Sequence, residues 1–403
     1  MLNNIFIIIS VVFVTAVIIE ASFRLKLFLY PRKLRICSIP LLNVIAPPHI
    51  EFNEDTGYNF IKNTNSARIT FKYGEPVFTT FWEINDCGNV GFDTIPCNSN
   101  SHYKIAVFGD SFTECSGGVE GGRTWPDYLK SIIRDSTSLV DLKVINFGRG
   151  GYGILQMFDL MRLTIEKLTP DLIIFAFISD DLDRDRFWYS QLKTGNLNRF
   201  VVSNKSEFDQ RSSDFVDIAY FLDAEQKDWL LENSSHRKQS HPNWLEVERE
   251  LNRINIQRVR NFRFLFKVDS LLWNLIIFGT PFPHHKYERF DGNPRMRFDN
   301  FTNDKRLLQN IEFLRNTAIP FEIINIPEHT ELCGRAASDI RIQNLRTSLE
   351  EAIGQPIANF RDYPRIPSEN TEKYFTLPHD SHPSQDGLKL IAEIVHHFIK
   401  KHL

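Results

Sequence analysis

The sequence predicts an α/β fold in which helices cover both faces of a parallel sheet, preceded by an apolar N-terminal helix and a small β-rich segment. Apolar runs alternate with helical periodicity from residue 104 onward, and the first 22 residues contain a single charged side chain. A 42% hydrophobic chain of 403 residues can also bury a large core. The formal net charge of −3 lacks the basic excess typical of nucleic-acid-binding proteins, so we expect no nucleic-acid partner.

The N-terminal apolar run is predicted to be a membrane anchor. Residues 2–19 are just long enough to cross a bilayer, which takes about 20 residues. No basic residue precedes the run and no small-residue cleavage pattern follows it. This favours an uncleaved transmembrane helix over residues 2–22, rather than a signal peptide or a buried soluble helix. The basic residues that follow the run would place the rest of the chain in the cytoplasm by the positive-inside rule.

Residues 23–100 are predicted to form a small β-rich lead-in, because short alternating runs such as 68–73 are separated by Asn, Gly and Pro. The five cysteines contain no CxxC pair, which gives a structural zinc site little support. Cys87 and Cys97 could close a short loop in an oxidising compartment. The odd number of cysteines leaves at least one thiol free.

The remaining residues, 101–403, are predicted to form one α/β domain. Short, unbroken apolar runs are typical of buried parallel strands, and apolar residues spaced by three or four are typical of the covering helices. The predicted strands cover residues 104–109, 142–147, 171–177, 319–326 and 356–360. The predicted helices cover residues 125–134, 154–168, 304–316, 339–352 and 384–402. Sheets of this kind bind ligands beyond the carboxyl ends of their strands.

Residues 186–300 interrupt this alternation with four tryptophans, many charges and a pair of histidines. Because a structureless stretch of this length is improbable within a compact domain, we expect an inserted, mostly helical subdomain over the edge of the sheet that binds ligands. The alternative is that residues 186–300 form a peripheral segment that takes no part in the chemistry.

A serine and a histidine are placed where a nucleophile and its base would be needed. Gly109-Asp110-Ser111 follows the first core strand directly, so a tight turn would expose Ser111 at the carboxyl edge of the sheet. A serine hydroxyl needs a base to become nucleophilic, and His382 stands in Asp380-Ser-His-Pro-Ser before the last helix. Asp380 is the nearest carboxylate that could hold the tautomer of His382.

These motifs resemble the SGNH hydrolases, also called GDSL esterases and lipases, over residues 101–185 and 304–403. The resemblance implies a three-layer α/β/α, flavodoxin-like fold and hydrolysis of esters. Gly109-Asp-Ser resembles the first motif block and Asp380-Ser-His the last, although many relatives place the aspartate three residues before the histidine. The N-terminal helix and residues 87–93 are similar to membrane-anchored bacterial members. Because such members often act outside the membrane, the side of the membrane stays open.

The resemblance also implies an oxyanion hole. The Ser111 N–H would contribute, and the stretch from Asn146 to Gly153 resembles the second block, whose glycine N–H joins the hole. By register from the strand-end asparagine, this glycine is Gly151, with Gly148 and Gly150 as less favoured alternatives.

The third block departs from the family pattern, because Asp180 stands where the family has an asparagine that donates to the oxyanion. An ionised carboxylate cannot donate a hydrogen bond. Burial, together with Asp181 and Asp183, would raise the pKa of Asp180, and the neutral acid could then donate. A metal cluster of these aspartates with Asp185 is less favoured than a solvated acidic loop, so we expect no metal and no cofactor.

The function expected is that of a serine esterase acting on an acylated carbohydrate or lipid through Ser111, His382 and Asp380. Two alternatives stay open at this point. An O-acyltransferase would use the same three residues with a sugar hydroxyl in place of water. A membrane-anchored binding or scaffold protein would have lost its oxyanion hole, as Asp180 permits.

Overall fold

The computed structural model describes thirteen stretches of the chain. They are residues 10–22, 41–46, 49–72, 75–90, 103–115, 123–137, 139, 141–184, 188–193, 196–201, 300–332, 340–376 and 381–403. Several residues singled out from the sequence lie outside these stretches, namely Cys37, Cys97, Asp185, Cys333 and Asp380.

The centre of the fold is a five-stranded parallel sheet, as predicted. Its strands stand in the order β12-β11-β8-β6-β7. They are β6 (Tyr103–Gly109), β7 (Leu142–Gly148), β8 (Leu172–Phe177), β11 (Phe321–Asn325) and β12 (Ala358–Asn359). Gly109 pairs in register with Gly148 on one side and Ala176 on the other, so three strands end at the same edge. Side chains that follow these strands therefore meet there.

Helices cover both faces of this sheet, which gives the predicted three layers. One face packs against α4 (Ile154–Leu168), α5 (Lys305–Asn316) and α7 (Ile340–Ile353). The other face packs against α3 (Trp125–Ser136) and α8 (Gln385–Ile399). Successive strand residues alternate between the two apolar cores, as the twofold period of a strand requires. Because both faces are buried, the strands consist of unbroken apolar runs instead of an alternating pattern.

A layer of aromatic rings runs through the first core. Phe108 stacks between Phe147 and Phe175, with ring centroids 5.1 and 5.5 Å away, and Phe158 of α4 stacks on Phe175 at 4.3 Å. All four side chains are buried. Burying each of these side chains stabilises the fold by about 1.5–3 kcal/mol relative to leaving it exposed. Part of the high phenylalanine content therefore lies in the core beneath the strand that leads to Ser111.

The predicted boundaries differ from the structure mainly at the edge of the sheet. The last strand, predicted over 356–360, is reduced to the two residues of β12 and is followed by a 3-10 turn, Phe360–Asp362. The last helix ends at Ile399 and continues as a 3-10 turn. Edge strands pair on one side only, so their length is set by the chain that follows rather than by the apolar pattern.

The described residues of the lead-in include β1 (Leu41–Ala46), β2 (Ile50–Asn53), β3 (Gly57–Phe60), β4 (Thr64–Lys72) and β5 (Glu75–Ile84). β1, β4 and β5 form an antiparallel sheet, and β2 pairs with β3 as a hairpin. Cys87, which follows β5, is disulfide-bonded, whereas Cys115 takes part in no disulfide.

The inserted segment begins with a hairpin of β9 (Trp188–Lys193) and β10 (Asn196–Val201). A mostly helical insertion was expected from residue 186, so its first described residues differ from the expectation. Residues 202–299, which make up the rest of the predicted insertion, lie outside the described stretches. The domain boundaries at 22, 100, 186 and 300 stay predictions.

Residues 10–22 form the first described helix, α1. Its large apolar side chains are exposed, Val12 and Phe13 to 63% and 68%. None of the helices that the structure describes combines the length and the apolar character that crossing a bilayer requires.

Candidate active site

Ser111 lies at a sharp turn between β6 and the one-turn helix α2 (Ser111–Glu114). Asp110 caps this helix, since its Oδ1 accepts a hydrogen bond from the N–H of Phe112 at 2.9 Å. The turn requires Gly109, because a Cβ atom there would lie 2.0 Å from Thr113 Oγ1 and 2.7 Å from Ala176 O. The helix ends at Cys115, which has a φ of +73°. The hydroxyl of Ser111 is thus presented at the carboxyl edge of the sheet.

His382 reaches Ser111 from the segment that precedes α8. Its Nε2 lies 2.8 Å from Ser111 Oγ, although the two residues are 271 positions apart. The backbone around His382 is held by hydrogen bonds from Thr376 N to His382 O and from Ser384 N to Tyr374 O, at 3.0 and 2.9 Å. The structure therefore brings Ser111 and His382 within hydrogen-bond distance, and their catalytic roles stay predictions. Asp380 lies outside the described residues, so its position relative to His382 stays a prediction.

In the loop after β7, one backbone N–H has no acceptor among the described residues. Five of the six N–H groups of residues 148–153 donate within the protein. The pairs are Gly148 to Asn146 Oδ1 (2.8 Å), Arg149 to Gly109 O (2.9 Å), Gly150 to Glu114 Oε2, Tyr152 to Arg149 O (3.1 Å) and Gly153 to Gln156 Oε1 (3.1 Å). The sixth, the N–H of Gly151, finds no acceptor in the part of the chain that the structure describes, and its φ is +86°.

The N–H of Ser111 also finds no acceptor among the described residues, because Asp110 caps the N–H of Phe112 instead. Ser111 and the Gly151 loop follow the adjacent strands β6 and β7, whose ends are in register. Of the three glycines considered from the sequence, Gly148 and Gly150 donate their N–H groups to acceptors within the protein, and Gly151 has no such acceptor in the described stretches.

Asp180 is exposed, and its neighbour Asp181 is the buried one. Both lie in a 3-10 turn, Ser179–Asp183, that follows β8. Asp181 Oδ2 accepts from the N–H of Ile178 at 3.0 Å, and burial raises the pKa of Asp181 well above its ordinary value, against the opposing effect of Arg184. The expected burial of Asp180 is therefore wrong, because the turn uses Asp181 to bond the N–H of Ile178, the residue just before it. Asp183 pairs with Arg341 at 2.5 Å.

A buried charge cluster beneath Ser111 was not anticipated from the sequence. Arg184 Nη1 lies 2.5 Å from Asp181 Oδ1 and 3.7 Å from Asp110 Oδ2, and it donates to Tyr152 O at 2.9 Å. Burial raises the pKa of Asp110, while Arg184 and His382 oppose that rise. Burial alone would lower the pKa of Arg184, but Asp181 and Asp110 raise it overall. One guanidinium thus links the turn at Ser111, the Gly151 loop and the turn after β8.

A second buried arginine holds the Gly151 loop to the lead-in. Arg149 donates to Asn59 Oδ1 and to Gly148 O, both at 2.9 Å, and to Gly88 O. Its guanidinium stands 4.0 Å from the ring centroid of Phe60. Burial lowers the pKa of Arg149 to about 10, so it is charged at neutral pH. Only the tertiary structure shows that this residue is buried, since a charged residue in a glycine-rich stretch is usually solvated.

No group of His, Cys, Asp or Glu side chains within the described stretches is arranged to hold a metal ion. The site combines a serine hydrogen-bonded to a histidine with two N–H groups, at neighbouring strand ends, that have no acceptor among the described residues. This combination is suited to acyl transfer, in which a nucleophile is activated by a base and negative charge develops on an oxygen.

Residues 105–223 match the model of the GDSL-like lipase/acylhydrolase family. The matched segment contains Ser111, the Gly151 loop and the turn with Asp180, whereas His382 lies beyond it. The match supports the resemblance to the SGNH hydrolase superfamily on a segment that includes the candidate nucleophile. It also supports a hydrolase that acts on ester substrates.

Solved structures of bacterial acylhydrolases superpose on the chain only weakly. A putative acylhydrolase from Bacteroides fragilis is 12% identical with a TM-score of 0.32, over 76% of this chain and 91% of that one. The lipase/acylhydrolase from Enterococcus faecalis is 13% identical with a TM-score of 0.33, over 74% and 95% of the two chains. Similarity this low says nothing about substrate or mechanism. No curated protein sequence matches the chain significantly.

Proposed function

We propose that this protein is a serine esterase that removes an acyl group from a carbohydrate or lipid through an acyl-enzyme on Ser111. The observation that carries the proposal is the 2.8 Å hydrogen bond between His382 Nε2 and Ser111 Oγ at the carboxyl edge of the sheet. A base at this distance can take the hydroxyl proton as the oxygen attacks an ester carbonyl. The match of residues 105–223 to an acylhydrolase family supports the same chemistry.

The reaction would proceed in two halves. In the first, Ser111 Oγ bonds to the acyl carbon, its proton passes to His382 Nε2, and the carbonyl electrons move onto the oxygen. The intermediate collapses as the ester C–O bond breaks and His382 returns the proton to the departing alcohol. In the second half, water gives a proton to His382 and attacks the acyl carbon. The bond between that carbon and Ser111 Oγ then breaks, His382 returns the proton to Ser111 Oγ, and the acid leaves. We assign the orientation of His382 to Asp380, as the resemblance implies.

The oxygen that becomes negative would accept hydrogen bonds from the N–H groups of Ser111 and Gly151. Their lack of acceptors among the described residues supports this assignment, because an N–H that already has a strong acceptor is less available to the oxyanion. Asp180 holds the position of the third family donor. Its side chain is exposed to solvent, so we propose that the two backbone donors supply most of the stabilisation.

We further propose that residues 2–22 anchor the protein in a membrane and that the esterase domain lies on its oxidising side. The exposed apolar side chains of α1 support an anchor, since a water-soluble helix buries such a surface. The disulfide of Cys87 supports an oxidising compartment. This placement runs against the basic residues after the anchor, which by themselves favour the cytoplasm.

A fluorophosphonate probe tests the proposed nucleophile. Ser111 Oγ would displace fluoride from phosphorus with loss of its proton to His382, which leaves a stable phosphonyl-serine that mass spectrometry can locate. We expect labelling at Ser111 in the wild-type protein, and neither labelling nor hydrolysis of a short-chain aryl ester in Ser111→Ala. A folded wild-type protein that neither labels nor hydrolyses the ester would contradict the proposal and favour a binding role. Faster loss of the ester when a sugar alcohol is added, with the acyl group found on the sugar, would instead indicate an acyltransferase.

A further inference from the structure

The peptide group between Gly150 and Gly151 is held by a tyrosine of the lead-in. Tyr58 Oη, in β3, donates to the carbonyl oxygen of Gly150 at 2.5 Å, and the side chain of Tyr58 is only 3% exposed. That carbonyl belongs to the same planar unit as the N–H of Gly151. Because the C=O and N–H of a trans peptide point in opposite directions, a bond that fixes the carbonyl also fixes where the N–H points.

We propose that Tyr58 is a positioning residue for ester hydrolysis, because its hydroxyl aims and polarises the peptide group whose N–H binds the oxyanion. A donor to the carbonyl draws electron density along the amide and makes the N–H of the same unit a better donor. This inference rests on the proposed function, since it needs the Gly151 N–H to act on an oxyanion. It also gives the lead-in a part in catalysis.

The peptide unit on the other side of Gly150 is fixed as well. The N–H of Gly150 donates to Glu114 Oε2, and Glu114 Oε1 accepts from Trp82 Nε1 at 2.6 Å. Glu114 is buried, and such a carboxylate is retained only when donors satisfy it. Trp82 in turn stacks on His49, with ring centroids 4.1 Å apart. Side chains therefore hold both peptide units that meet at Gly150, one from β3 and one from α2.

A neighbouring tyrosine separates positioning from simple packing. Tyr152 is fully buried, its ring meets that of Tyr58 edge to face at 5.0 Å, and its hydroxyl also donates to a backbone carbonyl, that of Tyr58. The two hydroxyls thus match in chemistry and burial. Of the two hydroxyls, that of Tyr58 bonds to the peptide unit that contains the Gly151 N–H, and that of Tyr152 does not. Comparing the removal of each hydroxyl therefore separates the effect on this peptide unit from the effect on packing.

The test compares Tyr58→Phe with Tyr152→Phe in the full-length protein. For Tyr58→Phe we expect kcat on a short-chain aryl ester to fall about tenfold, part of the 10²–10³ that complete loss of an oxyanion donor costs. We expect KM to stay within about twofold, because ground-state binding does not use the oxyanion. Fluorophosphonate labelling of Ser111 should slow in parallel. Tyr152→Phe should lose a similar amount of thermal stability while its kcat stays within about twofold of wild type.

A wild-type kcat in folded Tyr58→Phe overturns the positioning role, and so does an equal fall in both variants, which would indicate packing alone. Glu114→Gln provides a second measurement if Tyr58→Phe does not fold. The amide has one oxygen in place of the two acceptors of Glu114, so kcat should fall with little change in KM; an unchanged kcat counts against the inference. If the wild-type protein itself neither hydrolyses the ester nor labels at Ser111, the proposed function fails and the role of Tyr58 fails with it.

Discussion

Replacing Arg184 by methionine should destabilise the fold strongly, because it leaves two buried carboxylates without their common partner. Asp110 and Asp181 have no exposed side-chain surface, and Arg184 Nη1 lies 3.7 and 2.5 Å from them. Removing one partner of a buried ion pair typically costs about 3–5 kcal/mol, and we expect Arg184→Met to lower the free energy of unfolding at pH 7 by that amount. Methionine fills a similar volume, so little of the loss should come from a cavity.

The stability lost in Arg184→Met should depend on pH, and the ionisation of the two carboxyl groups sets the direction of this dependence. Burial already raises the pKa of Asp110 and of Asp181 in the folded protein, and removal of the guanidinium raises both further. A group with a raised folded pKa contributes its stability below the unfolded pKa and loses it as pH rises through the folded pKa. Arg184→Met should therefore differ least from wild type at acidic pH, where both groups are protonated, and most at alkaline pH.

Urea unfolding followed by tryptophan fluorescence at about pH 5 and about pH 8 measures this difference. Arg341→Met is the matched control, because Arg341 pairs with Asp183 at the same 2.5 Å while its side chain is 34% exposed. Breaking such a partly exposed pair should lower the free energy of unfolding by no more than about 1 kcal/mol. Adding Asp181→Asn to Arg184→Met should recover part of the loss. A cost below about 1 kcal/mol for Arg184→Met, or no recovery in the double variant, would refute the assignment of a buried charge cluster.

Three further predictions concern single positions. Asp180→Asn should raise the rate of aryl-ester hydrolysis at neutral pH, because it puts an amide donor in place of a carboxyl group at the third-block position; a rate no higher than wild type anywhere from about pH 5 to 9 contradicts this. Burial raises the pKa of Glu328 to about 7 from its ordinary 4.5, so ionisation opposes folding as pH rises between these values. Since each tenfold change in an ionisation constant is worth about 1.4 kcal/mol, Glu328→Gln should stabilise the protein by up to about 3 kcal/mol at pH 8 and by much less at pH 5. Equal stabilisation in urea at both pH values would show that charge is not the cause. Mass spectrometry of the unreduced, alkylated protein should find Cys115 alkylated and Cys87 joined to Cys97, and alkylation of Cys87 without prior reduction would contradict the disulfide.

The sequence by itself was sufficient for the layered α/β architecture. Strands buried on both faces must consist almost wholly of apolar residues, so β6 and β8 stand out as short unbroken runs. Their helices repeat apolar residues every three or four positions, which α3 and α8 follow closely. Both signals are local and need no knowledge of distant contacts. They also place Gly109 at a strand end, and Ser111 at the edge where parallel sheets bind ligands.

Contacts between residues far apart in the chain determined the geometry and burial of the side chains inside the site. The sequence suggested that Ser111 and His382 share an edge, but their 2.8 Å separation depends on how α8 packs beside α3. The burial of Arg149, Arg184 and Glu114 has no local signal. Arg184 pairs with the nearby Asp181, but it also lies beside the distant Asp110. Arg149 and Glu114 are held by Asn59 and Trp82, which are far away in the chain. That Asp181 is buried in place of Asp180 has a similar cause. In a single 3-10 turn one step of the chain rotates a side chain by about 120°, and only packing against Arg184 and Ile178 decides which aspartate turns inward.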